Sequence, residues 1–254
     1  MPSPHDDMGT VLNLAEAPRR VVSLVPSLTE AITDGCPEVL VGATQWCTHP
    51  ADLDVSRVRG TKNPDREAIV RLRPDLVIAN KEENRELDVA RLRAAGVPVW
   101  VTVIENVPEA LESLERMFTK ALQVPAPDWL TTAQGIWSGP LPPVTATAAV
   151  PVWRDPWMVV GSSTFTGDLL RRVGIANAFA EHPDRYPHVA IEEIDRPDVD
   201  LVVLPDEPYA FSEEDGPEAF QYAPTRLVDG RLLTWYGPSL LPAYDKLRQL
   251  AARE

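Results

Sequence analysis

A chain of 254 residues, 44% of them hydrophobic, is long enough to bury one large core or two smaller ones. Its 38 acidic residues against 24 basic ones give a formal charge of -14, and no run of Lys and Arg is long enough to follow a phosphate backbone, which excludes nucleic acid as a partner. The two cysteines, Cys36 and Cys47, form no Cys-x-x-Cys pair, which argues against zinc and dithiol redox sites and leaves a single disulfide open. There is no stretch of 18 apolar residues for a membrane-spanning helix.

The opening segment, "MPSPHDDMGTVLNLAEAPRR", has no positive start followed by an apolar run, so the chain as written reads as cytoplasmic. The first predicted strand is "RVVSLVP" (20–26). A helix over "SLTEAITDG" follows, with Ser27 or Thr29 as N-cap, Glu30 in the first turn and Gly35 as the stop. Further apolar runs rich in Val, Ile and Leu come at "EVLVGAT" (38–44), "DLVIAN" (75–80) and "VPVWVTV" (97–103). Val107, Ala110, Leu111, Leu114, Met117, Phe118 and Ala121 then fall at i, i+3, i+4, i+7 spacing, which predicts one amphipathic helix over about 107–121, with Asn106 and Glu109 resembling a capping pair. "DWLTTAQGIW" reads as a second, shorter helix and "SGPLPPVTATAAVPVW" as a proline-rich connector. Two more strands are expected at "DLVVLP" (200–205) and "RLLTWY" (231–236). Continuous apolar runs of this kind suit strands covered on both faces, which predicts an α/β protein with mainly parallel sheets.

The chain also repeats itself coarsely. "RPDLVIANKEEN" (73–84) is like "DVDLVVLPDEPY" (198–209), each a strand opening on Asp-Leu-Val and running into an acidic turn. "SLTEAITDG" is like "STFTGDLLRRVG" (163–174), with hydroxyl residues at a helix start and Gly at its end. The reading is an N-terminal α/β lobe over 1–105, a helical bridge and connector over 106–147 and a C-terminal α/β lobe over 148–254; the alternative is that any two βα units look alike.

Little in the sequence points to catalysis. Cys47 and His49 are too close along one loop to serve as nucleophile and base, since catalytic partners converge from distant parts of a chain. There is no Gly-x-Ser-x-Gly elbow, no phosphate loop with its Lys-Ser/Thr, and no Gly-x-Gly-x-x-Gly after a strand. The four histidines, His5, His49, His182 and His188, are scattered, which argues against a direct protein metal site, and the last two read as surface-loop residues. The aromatics are more informative. Trp46, Trp100, Trp153, Trp157 and Trp235, five of seven tryptophans, lie at or just beyond predicted strand ends, where ligand crevices form in open α/β sheets.

"VVSLVPSLTEAI", "GATQWCTHP", "GTKNPDREAIVRLRPDLVIANKEENR", "WRDPWMVVGSSTFTGDLLRRVG", "LPDEPYAF" and "DGRLLTWYGP" together resemble the helical-backbone metal receptors, the class III substrate-binding proteins of ABC importers, and within them the cobalamin-binding branch. The resemblance covers about residues 20–250. It implies two Rossmann-like α/β lobes bridged by a helix, no enzymatic activity, no covalent cofactor, and a metal carried inside a chelate, here cobalamin or another corrinoid, held in the cleft between the lobes. Family members outside the membrane carry a leader or lipid anchor, and their bridge is a longer single helix. On this resemblance the Trp-Cys-Thr-His-Pro loop is pocket wall, with Pro26, Ser27, Trp46, Cys47 and His49 on the N-terminal side and His49 near the cobalt face or a propionamide. Lys62, Asn63, Asn80 and Asn84 address the ligand's amide rim, Trp153, Arg154, Asp155, Trp157 and Phe165 form the facing wall, and Trp235 and Tyr236 its far end. The family docks on a permease through a glutamate from each lobe, which makes Glu86 the N-terminal candidate and Glu213 or Glu214 the C-terminal one. The expected state is a monomer. The rival readings are a haem or ferric-siderophore receptor, or a cytoplasmic enzyme or chaperone of corrinoid or metal metabolism, using the same cleft.

Overall fold

The computed structural model describes residues 4–14 and 16–250. The chain divides into two compact units. One comprises the residues up to Ile104 with Glu109–Gln134 and Tyr236–Pro238; the other comprises Glu105–Pro108, Gly135–Trp235 and the residues from Ser239 onward. The predicted bridge over 106–147 thus falls partly in each.

In the first unit the chain runs β1 (Val21–Ser23), α1 (Pro26–Gly35), β2 (Leu40–Ala43), β3 (Ser56–Arg57), α2 (Arg66–Arg71), β4 (Leu76–Asn80), α3 (Glu86–Ala94) and β5 (Val99–Thr102). The strands form one parallel sheet of order β3-β2-β1-β4-β5. β4 is buried at all five positions and β5 at all four, as continuous apolar strands between covering helices must be. Val22, Val77, Val99 and Val101 pack with Ile69 of α2 and Val89 and Leu92 of α3 into one core.

α1 begins without a side-chain cap: Pro26 takes the first position, and Thr29, predicted as a capping residue, turns its hydroxyl back to the carbonyl of Val25 at 2.9 Å. The predicted amphipathic helix is α4 (Val107–Arg116), continued by a π-helical turn, Met117–Leu122, in which Met117, Phe118, Ala121 and Leu122 are buried. The Val107 N–H at the start of α4 is capped by the carboxylate of Asp168 at 2.8 Å. "DWLTTAQGIW" is α5 (Asp128–Trp137).

The second unit runs β6 (Ala146–Ala149), β7 (Pro151–Trp153), β8 (Met158–Val159), α6 (Phe165–Arg172), β9 (Ile175–Asn177), α7 (Ile191–Ile194), β10 (Leu201–Pro205), β11 (Thr225–Val228), α8 (Arg231–Thr234) and α9 (Leu240–Leu250). Its sheet is again parallel, of order β11-β10-β6-β9, and β7 and β8 pair separately as an antiparallel hairpin. Two sequence expectations are corrected here. The segment expected to be a plain connector contains β6, and "RLLTWY", expected as a strand, is the helical turn α8 leading into Trp235 and Tyr236. Asp229 accepts the Arg231 N–H at 3.0 Å and Thr234 closes the turn onto the carbonyl of Gly230 at 2.9 Å, which fixes helical backbone there. The strand is instead the more polar Thr225–Val228, paired with β10.

The coarse repeat has a structural counterpart. In the first unit β1 leads through α1 to β2, and β4 returns to the other side of β1; in the second, β6 leads through α6 to β9, and β10 returns to the other side of β6. The aspartate that opens each Asp-Leu-Val strand does the same work twice. Asp75 accepts the N–H groups of Arg19 and Arg20 just before β1, both at 2.9 Å, and Asp200 accepts the N–H of Thr147 in β6 at 2.8 Å. Each carboxylate ties the start of one central strand to its neighbour.

Candidate functional site

In an open parallel sheet, ligands gather outside the carboxyl ends of the strands where the strand order reverses. In the first unit that point lies between β1 and β4, and in the second between β6 and β10.

In the first unit the loops after β1 and β4 are bound to each other. Asn84 accepts the Asn80 N–H at 2.9 Å and donates to the carbonyls of Leu24 at 3.2 Å and Thr61 at 3.0 Å. Asn80 accepts the N–H groups of Glu82 and Glu83 and donates to Thr102. Both amides are buried and occupied, so these two predicted rim residues shape the loop and present Glu82 and Glu83 in their place. Lys62 donates its ammonium to the carbonyl of Glu82, and Asn63 is exposed on the loop beside it. Tyr236 is buried, its hydroxyl donating to Glu83 at 3.0 Å, and burial first, then the neighbouring Glu83 carboxylate, pushes the phenol's pKa far up. Ser27 and Tyr236 are brought together, directly after Pro26 at the start of α1.

The loop after β2 splits the Trp-Cys-Thr-His-Pro motif. Trp46 is 59% exposed, an indole left open to solvent, while Cys47 is buried with its sulfur 3.0 Å from the Thr29 hydroxyl and 3.1 Å from that of Thr44. Burial raises the Cys47 pKa, so the thiol stays protonated and serves as packing. Cys36, the other free cysteine, is pushed up to about 11 by burial and by Glu38. His49 is half-buried, with Nδ1 3.2 Å from the Thr48 hydroxyl. Opposite Trp46, Gly60 permits a close approach: a Cβ there would lie 2.6 Å from the Asn63 amide oxygen and 3.0 Å from the Trp46 indole nitrogen.

In the second unit the β7–β8 hairpin and the loop after β10 bring together an aromatic cluster. Trp157 stacks on Phe211 with centroids 5.9 Å apart and 5° between planes, Tyr209 lies 4.6 Å from Phe211, and Trp153 meets Tyr209 edge-on at 5.5 Å. Trp153 is 46% exposed, whereas Trp157 is partly covered by Phe220. Arg154 lies over the Trp157 ring at 5.5 Å, and its guanidinium is taken by Asp215 and Glu218, the latter at 2.6 Å. Asp155 is exposed at the hairpin tip with φ 58°. Phe165, at the start of α6, and Trp235 are buried. Trp235 lies under the Arg231 guanidinium at 5.2 Å, and it and Thr234 bond the Glu207 carboxylate, whose pKa burial nonetheless raises.

Tyr209, Phe211 and Glu207 were not among the residues expected to line a site. The signal was present in "LPDEPYAF", an aromatic pair directly after a strand and an acidic turn. Glu86 is exposed at the first position of α3, and Glu213 and Glu214 are exposed after Phe211. Among the described residues no three His, Cys, Asp or Glu side chains group to hold a metal ion, and no helix is long and apolar enough to cross a membrane.

No protein-family model matches the chain. The vitamin B12-binding protein of Vibrio cholerae is 24% identical over 182 residues, which cover 69% of this chain and 66% of that protein, just under two thirds of its length. The vitamin B12-binding protein of Photorhabdus laumondii is 24% identical over 192 residues, 72% of this chain and 69% of that one. Among solved structures, the periplasmic vitamin B12-binding protein BtuF of Vibrio cholerae superposes with a TM-score of 0.75 at 19% identity, covering 94% of this chain and 99% of that one. A periplasmic haem-binding protein from Pseudomonas aeruginosa gives 0.73 at 22%, covering 92% of each chain. Helicobacter pylori CeuE with Ni(II) bound gives 0.77 at 15%, covering 97% and 87%.

Proposed function

We propose that this chain, which has the class III periplasmic-binding-protein fold, is the substrate-binding protein of an ABC importer for a metal chelate, and that the chelate is a corrinoid. The protein performs no chemistry on its cargo; the metal arrives inside the ligand. Trp46 carries the reading. An indole 59% exposed, at the carboxyl end of a parallel strand, is apolar surface that a flat macrocycle would cover.

Charge supports a corrinoid over the related ligands. Glu82 and Glu83 stand at the strand ends of the first unit, beside Lys62 and Lys81, and Asp206 and Asp229 at those of the second, on a chain of charge -14. Haem brings two propionates and ferric siderophores are commonly anionic, so both meet like charge, whereas the amide rim of a corrinoid is neutral and accepts or donates hydrogen bonds at carboxylates. Trp153 and Tyr209 supply the aromatic contact in the second unit, and His49 is the candidate ligand for the cobalt face. Glu86 and Glu213 or Glu214, all exposed, serve as the docking carboxylates toward the permease.

The test is calorimetric titration of cobalamin and cobinamide into the parent and into Trp46→Ala. Removing a central aromatic anchor is expected to cost about 2 kcal/mol or more of binding, with the melting temperature unchanged because the side chain is largely exposed. His49→Ala should cost less, unless the corrinoid absorption bands shift on binding and that shift vanishes in the variant, which would mark cobalt ligation. Equal affinity of parent and Trp46→Ala for every corrinoid would refute the pocket-wall role.

A further inference from the structure

α2 and α3 flank a recess of about 460 Å³ in the first unit, whose walls include Arg59, Arg66, Arg85 and Arg91 with Asp65 and Asp88. Four guanidinium groups around one recess run against the charge of the chain. Two of them are compensated on the spot. Arg66 pairs with Asp88, whose side chain is 7% exposed, and Arg59 reaches Asp65 at 3.9 Å. Asp65 is also the cap of α2, accepting the Ala68 N–H at 2.9 Å, and Glu67 on the same wall lies 3.8 Å from Arg71. The side chains of Arg85 and Arg91 have no ion pair or hydrogen bond among the described residues. Arg85 precedes α3 without capping it, and Arg85, Asp88 and Arg91 follow at three-residue spacing along one side of the helix, with the Asp88 charge already taken by Arg66.

We propose that this recess binds a phosphate-monoester group, gripped by Arg85 and Arg91. The stoichiometry of charge selects the ligand: two uncompensated guanidinium groups match a group carrying about -1.5 to -2 at pH 7, whereas a single carboxylate satisfies only one. The planar fork of each guanidinium presents paired N–H donors to phosphate oxygens. The exposed Leu87 on the same wall offers apolar contact to the group that bears the phosphate. Asn63, expected on the chelate's amide rim, also lines this recess, but the phosphate proposal rests on Arg85 and Arg91 and stands or falls without the chelate reading. A soluble phosphate ester and the headgroup of a lipid with a terminal phosphate share this chemistry.

The experiment uses two probes on the full chain. Glycerol 3-phosphate is titrated by calorimetry, and vesicles of phosphatidylcholine with phosphatidic acid are tested by co-sedimentation, each with the parent and with Arg85→Gln/Arg91→Gln. Neither side chain holds a partner, so the double variant should melt with the parent; each single variant is read alongside. The expected result is saturable binding of one probe that weakens at least tenfold in the double variant and about threefold in each single one. Binding of glycerol 3-phosphate assigns a soluble ester, and retention on vesicles alone assigns a headgroup. Binding of neither probe, or binding that survives both substitutions, overturns the proposal.

Discussion

Asn84 shows what a single buried amide can do in this fold. Its two ends hold the Asn80 N–H and the carbonyls of Leu24 and Thr61, so one side chain sets the mutual position of the loops after β1 and β4. Asn84→Ala leaves those buried groups without partners and should cost roughly 3 kcal/mol, the scale for orphaning buried polar atoms, read as a lower urea midpoint. In the sequence Asn80 closes a strand and Asn84 follows it, but an amide that binds ligand and one that binds its own backbone look alike until the partners are seen. The same limit applies to Trp-Cys-Thr-His-Pro: the motif is legible, whereas the outward turn of Trp46 and the inward turn of Cys47 depend on Thr29 and Thr44. Glu207 gives a pH signature. Burial raises its folded pKa above the unfolded value, so its contribution is fully present below the unfolded pKa and is lost as pH rises through the folded one. Glu207→Gln, which cannot ionise, should therefore melt higher than the parent at pH 8 and nearly with it at pH 4. An equal difference at both values would show that Glu207 is not held back from ionising.

At the level of elements, strands of branched residues were readable because both faces of a parallel sheet are covered, and β4, β5 and β10 have no polar side to hide. β6 was not readable. Its Ala-Thr-Ala-Ala sequence has little strand propensity, yet it lies between β10 and β9, where pairing on both edges imposes the extended backbone that its side chains do not favour. Leu232 and Leu233 misled in the opposite sense, because two adjacent buried leucines fit a turn packed against α6 and α9 as well as they fit a strand. The N-terminal segment was read only for what it lacks, and it proves to be a staple. Asp7, 5% exposed, accepts from the Val103 N–H, the Ser113 hydroxyl at 2.5 Å and Arg116 at 2.8 Å, joining the end of β5 to α4. Asp7→Ala should destabilise the fold by about 3 kcal/mol, the low end for breaking a buried pair because Arg116 is 41% exposed. Chemical denaturation within 0.5 kcal/mol of the parent would show that α4 is held without it.

For the whole molecule, the twofold repetition is the feature that sequence and structure share most fully. Asp75 and Asp200 open equivalent strands, and each strand returns beside the first strand of its sheet. That topology puts aromatic and acidic loops at the strand carboxyl ends of both units, and acidity is what separates the corrinoid reading from its haem and siderophore rivals. The direct test is one panel titration, by absorbance and calorimetry at a fixed ionic strength, of cobalamin, cobinamide, haem and a ferric siderophore into the intact chain. The account predicts saturable binding of cobalamin or cobinamide at least tenfold tighter than either anionic chelate. Tighter binding of haem or the siderophore, or binding of none of the four, would contradict it.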